Sequence, residues 1–91
     1  MRVGIVSGYF NPIHTGHLDY LEGARQECDM LYVIVNNDHQ VALKGSKQFM
    51  DDNARLRIVN ALSCVDKAMV SVDEDGTVVR SIAQIHKRYA D

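Results

Sequence analysis

The sequence predicts a three-layer α/β/α fold on a parallel sheet, with the strands ordered 3-2-1. Three observations support this. Short β-branched runs alternate with segments whose apolar residues recur at helical spacing, giving the order β-α-β-α-β-α. The middle run, MLYVIV, is apolar at every position, as a strand covered on both faces requires. Polar loops follow the first two runs, at the strand ends where open parallel sheets bind ligands.

Arg2–Ser7 reads as the first strand, released into a loop at Gly8. Gly8–Gly16 contains Asn11-Pro12 and two glycines, so it is a loop. Leu18, Leu21, Ala24 and Cys28 then set a helical period from about Thr15 to Cys28. Met30–Val35 is the second strand and ends in the polar run Asn36-Asn37-Asp38. His39–Met50 reads as a short helical turn and then a mobile loop around Lys44-Gly45-Ser46-Lys47. Asp51 or Asp52 caps the next helix, whose apolar positions are Ala54, Ile58, Ala61 and Leu62. Lys67–Val72 is the third strand. Asp73–Thr77 opens a last helix with acids where the dipole favours them, and Val78, Ile82, Ile85 and Tyr89 form its stripe.

A chain of 91 residues holds one small domain. The net charge of −2 is spread without blocks, which removes the case for a nucleic-acid-coating protein. No apolar run approaches the ~20 residues of a membrane span, and the glycine-broken N-terminus does not read as a signal peptide. Cys28 and Cys64 form no CxxC pair, so they read as buried free thiols of a cytoplasmic protein.

The chemistry concentrates in the loop after the first strand. A helix beginning near Gly16 presents unpaired N–H groups, which favour an anion. His14 and His17 stand three apart, on one face if the turn is helical, and each ring can donate an N–H to a phosphate oxygen. A metal site is disfavoured, because no Glu or Cys stands beside them at zinc spacing and Asp19 would face away.

GYFNPIHTGHLDYLEGAR carries the His-x-Gly-His pattern at a strand–helix junction and is followed by VIVNNDHQVALKG, DDNARLRIVNAL and CVDKAMVSVDEDGT. Over essentially its whole length the chain resembles the cytidylyltransferase-like nucleotidyltransferases, a Rossmann-like superfamily. The branch is that of glycerol-3-phosphate cytidylyltransferase and the heptose-phosphate adenylyltransferases. The resemblance implies transfer of CMP or AMP from CTP or ATP to a phosphorylated small molecule, with Mg²⁺ bridging the phosphates and pyrophosphate released. It assigns Gly8, Tyr9, Phe10, Thr15, Gly16 and Asp38 to the nucleotide, and Arg55 to the substrate. His14, His17 and Lys44 are assigned to catalysis on the phosphates, with Lys47 a near substitute for Lys44.

Asn11 stands where the cytidylyltransferases carry Asp, as in nicotinate-mononucleotide adenylyltransferases, and Ser63 stands where glycerol-3-phosphate enzymes carry Arg. The adenylyl-transferring relatives therefore fit at least as well. The resemblance implies further strands and a Ser/Thr-rich phosphate motif, so residues 1–91 are expected to be either an incomplete domain lacking its C-terminal strands or an unusually minimal relative. Two other readings follow: a nucleotide-binding module without turnover, or an interaction domain in which the histidines are incidental. Strand 1 then lies at an open sheet edge, and a homodimer or a neighbouring chain is expected to cover it.

Overall fold

The computed structural model describes residues 1–89. Its elements are β1 (Val3–Gly8), α1 (Thr15–Gln26), β2 (Met30–Val35), α2 (Asp38–Lys44), α3 (Asp52–Asn60), β3 (Lys67–Val70) and α4 (Val79–Tyr89). The sheet is parallel with order β1-β2-β3, so β2 is central and β1 is an edge, as expected. Val3 pairs with Met30 through to Gly8 with Val35, and Tyr32 pairs with Lys67 through to Val35 with Val70.

The alternation of β2 divides the core into two layers. Leu31, Val33 and Val35 pack on one face with Leu21 of α1 and Val59 of α3. Tyr32 and Ile34 turn to the other face and meet Ile85 of α4, flanked by Val3, Ile5, Met69, Val78 and Tyr89. This is the three-layer Rossmann-like arrangement. Each fully buried aliphatic side chain contributes ~1.5–3 kcal/mol relative to exposure.

Several expected boundaries shift for physical reasons. Helix α1 stops at Gln26 rather than Cys28, and its C-cap Glu27 sends its N–H back to Ala24. The stretch expected as a turn and mobile loop is a helix through Lys44, stopped by Gly45 in the left-handed region at φ 77°. The expected α3 face is rotated: Ile58 and Ala61 are exposed, while Arg55 and Val59 are buried. Ile82 of the expected α4 stripe is also exposed, whereas Val78, Ile85 and Tyr89 pack as anticipated. Strand β3 ends at Val70, and α4 begins only at Val79.

The late start of α4 is set by Asp73. Its carboxylate accepts the N–H groups of Arg80 (2.8 Å) and Ser81 (2.9 Å), and Ser81 Oγ donates to it at 2.6 Å. Burial opposes the charge on Asp73. The hydrogen bonds from the Ser81 hydroxyl, the Arg80 and Ser81 backbone and the Ser71 hydroxyl prevail and hold its pKa below the ordinary carboxylate value. Cys28 and Cys64 are free but only half-buried.

Candidate functional site

The first loop turns off β1 under tight steric control. A Cβ at Gly8 would fall 2.7 Å from the Phe10 ring, so only glycine leaves room for that ring to fold inward. Phe10 is 1% exposed, and its backbone takes the costly positive φ of 51°. Its ring stacks edge-on against His17 with centroids 4.9 Å apart. The side chain expected at the nucleotide therefore lies beneath the loop, as a floor for His17.

His14 and His17 cap α1 reciprocally. The Gly16 N–H donates to His14 Nδ1 at 3.0 Å, and the His14 N–H donates to His17 Nδ1 at 3.1 Å. A nitrogen that accepts an N–H carries no proton, so both neutral rings are fixed as Nε2–H tautomers. The ring centroids lie 4.0 Å apart. Burial, and then the neighbouring His14, lower the His17 pKa below its ordinary value, which favours the neutral donor. The histidines are thus together on one face, as the spacing anticipated. The expectation of a free N–H at Gly16 is not met, because His14 Nδ1 already accepts it as part of the cap.

Gly16 has a second role. A Cβ there would lie 2.8 Å from His14 Cε1 and 3.0 Å from Nδ1, so the absent side chain is what admits the capping ring. Thr15, exposed at the first position of α1, borders a shallow apolar groove formed by Ile13, Leu18, Ile58 and Leu62 beside His14.

Arg55 lies farther from solvent than the expectation implies. It was assigned to substrate, yet it is fully buried with every donor nitrogen engaged. Nε reaches the Met50 carbonyl at 3.1 Å, and one terminal nitrogen reaches the carbonyls of Tyr9 (2.8 Å) and Asn36 (2.6 Å). The other pairs with Asp38 Oδ1 at 2.8 Å. One guanidinium thereby joins the loop after β1, the loop after β2 and the entry to α3. Asp38, also expected at the nucleotide, is half-exposed at the start of α2, with one oxygen engaged by Arg55.

Lys44 ends α2 and places its ammonium 4.3 Å from the Tyr9 ring centroid. Lys47 lies beyond the Gly45 turn and sits 5.5 Å from its neighbour Phe49 instead. Lys44 is the lysine whose ammonium meets the first loop.

Sequence reasoning missed the polar framework that fixes these loops. Gln40 is fully buried; its Oε1 accepts from Asn36 Nδ2 and the Asn37 N–H, and its Nε2 donates to the carbonyls of Asp75 and Thr77 at 2.8 Å. Asn37 caps α2 and donates to the carbonyls of Ser71 and Asp73. The polar run after β2 signalled that something ends there, but the partners lie 34–37 residues away. Among the described residues no group of three or more His, Cys, Asp or Glu could hold a metal ion, and no helix is long and apolar enough to cross a membrane.

Residues 5–90 match the family described as cytidylyltransferase-like. The chain is 38% identical over 87 residues to the bifunctional protein HldE of Nitrobacter hamburgensis and 39% identical to that of Rhodopseudomonas palustris (strain TIE-1). Each match covers 93% of this chain but 17% of the relative, so the chain spans about a sixth of their length. A lipopolysaccharide core biosynthesis protein from Thermoplasma volcanium superposes with a TM-score of 0.86 at 28% identity. That match covers 93% of this chain and 68% of the other.

Proposed function

This chain belongs to the cytidylyltransferase-like family, and on that premise we propose that it is the phosphate-handling part of a nucleotidyltransferase. An oxygen of the acceptor's phosphate attacks the α-phosphorus of CTP or ATP in line. The bond from that phosphorus to the bridging oxygen breaks, and pyrophosphate leaves. No covalent nucleophile on the protein is needed, so positioning and charge stabilisation carry the rate. The observation that carries the reading is the reciprocal capping of His14 and His17, which leaves two Nε2–H donors turned away from the backbone they cap. Lys44 adds a positive charge toward the triphosphate, and Tyr9, Gly8, Thr15 and Gly16 shape the loop that receives it.

The described residues offer no protein cage for Mg²⁺. A Mg²⁺ ion bound together with the triphosphate would neutralise charge on the phosphate oxygens. The structural relative is named for lipopolysaccharide core biosynthesis, which supports a sugar-containing acceptor, and use of nucleoside triphosphates supports a cytoplasmic setting. A second copy of the chain across the open edge of β1 completes the reading, and sedimentation at a monomer's mass would remove that part.

The test is pyrophosphate release from ATP and from CTP with sugar phosphates as acceptors. His14→Ala and His17→Ala should each lower turnover ~10²–10³-fold while the fold persists. Near-normal turnover in either variant would refute the phosphate role. A second reading, nucleotide binding without turnover, is favoured by Asp73, which occupies the α4 N-terminus and withholds its N–H groups from any anion. Nucleotide binding with no pyrophosphate released would select it.

A further inference from the structure

Two side chains of the loop after β1 reach across to the segment that leaves α2. Tyr9 presents its ring to the ammonium of Lys44 at 4.3 Å. Asn11 donates from Nδ2 to the Lys47 carbonyl at 2.7 Å and accepts the Phe49 N–H at 2.8 Å. Both ends of the Asn11 amide are therefore used, on a segment 36–38 residues away in sequence. Tyr9 is not loose either, since the buried Arg55 holds its carbonyl. Lys44 enters from a fixed helix end, with Gly45 turning the chain away behind it. Among the described residues no carboxylate forms an ion pair with Lys44.

We infer that Tyr9 and Asn11 are positioning residues for Lys44, which the first loop seats before a triphosphate arrives. The inference rests on the phosphate reading of the site given above. An aromatic ring suits this task better than a carboxylate. The ring quadrupole attracts the ammonium weakly and leaves its charge uncompensated, whereas a carboxylate would neutralise it and compete with the phosphates. Restraining a long side chain in advance also lowers the entropy cost of ordering it on binding. Asn11 anchors the other end of the strap, where its amide both donates and accepts in this chain. An aspartate could accept from Phe49 but would set a carboxylate oxygen against the Lys47 carbonyl.

Titration calorimetry of the 91-residue chain with MgATP and MgCTP tests this. Tyr9→Leu should weaken binding about two- to fivefold, and Tyr9→Phe should restore it because the ring face remains. In a Lys44→Met background Tyr9→Leu should cost nothing further, as expected if the ring acts through the lysine. Asn11→Asp should weaken binding about two- to tenfold. In the free protein, the NMR signal of the Lys44 ε-methylene should be displaced upfield by the ring and return to its ordinary position in Tyr9→Leu. A wild-type chain that binds neither nucleotide would defeat the phosphate reading and this inference together. If the wild type binds, an unchanged affinity in Tyr9→Leu, or a full additional loss on Lys44→Met, would defeat the inference alone.

Discussion

The two segments at the carboxyl end of the sheet hold their candidate site nitrogens by different physics. In the first, His14 and His17 are fixed by hydrogen bonds within three residues of each other. In the second, Lys44 is fixed by a ring 35 positions away and by a strap that Asn11 pins from the opposite loop. The histidine pair is therefore a local structure that α1 carries with it, whereas the lysine has a position only when the whole domain is folded. Arg55 lies where the two arrangements meet, because one guanidinium holds Tyr9 on one side and Asn36 and Asp38 on the other.

Removing that junction should have the largest effect. Arg55→Ala leaves the carbonyls of Tyr9, Asn36 and Met50 without their donor and breaks its pair with Asp38. The expected cost is ~3–5 kcal/mol, a large share of the stability of so small a domain. Thermal unfolding should show a large loss of Tm or no cooperative transition. A melt within a few degrees of wild type would mean that Arg55 does not join the loops.

A smaller change should separate the loops. Gly16→Ala drives a methyl into the His14 ring, so the cap is lost at about 1 kcal/mol while alanine recovers about as much in helix propensity. Stability should change by less than ~1 kcal/mol while pyrophosphate release falls nearly as far as in His14→Ala. Equal activity in Gly16→Ala and wild type would show that the capped ring position is immaterial.

The mildest probe is pH. Burial, then His14, place the His17 pKa below its ordinary value of 6.5. The unfolded chain therefore takes up a proton before the folded one. The stability contribution is fully present above pH 6.5 and declines as pH falls toward the folded value, where a protonated Nδ1 can no longer accept the His14 N–H. The His17 ring protons should titrate with a midpoint below 6.5 by NMR, and a midpoint above it would contradict the capped, neutral donor.

These differences explain what could be read from the sequence. The layers and the strand order follow from periodicity, because β2 is apolar throughout and each helix needs a matching stripe. The shared face of the two histidines was legible because it follows from their three-residue spacing, whereas the cap they form was not anticipated. The buried face of α3 was not, because an arginine took a core position that hydrophobic patterning reserves for Ile58 or Ala61. Phe10, in the loop after β1, and Arg55, early in α3, read as ligand contacts because they match the family's pattern by position. Their side chains point inward, and burial of that kind depends on packing that no spacing rule expresses.

Gln40 carries a consequence for motion. Its amide ties the start of α2 to the carbonyls of Asp75 and Thr77, and Asp73 in turn holds the first amides of α4. The turn between β3 and α4 is mostly exposed and would ordinarily fray early, but here it cannot open without exposing a buried carboxamide. Helix α2 and residues 73–81 should therefore open as one cooperative unit, so that amide hydrogens on both sides of Gln40 exchange with solvent at a common rate.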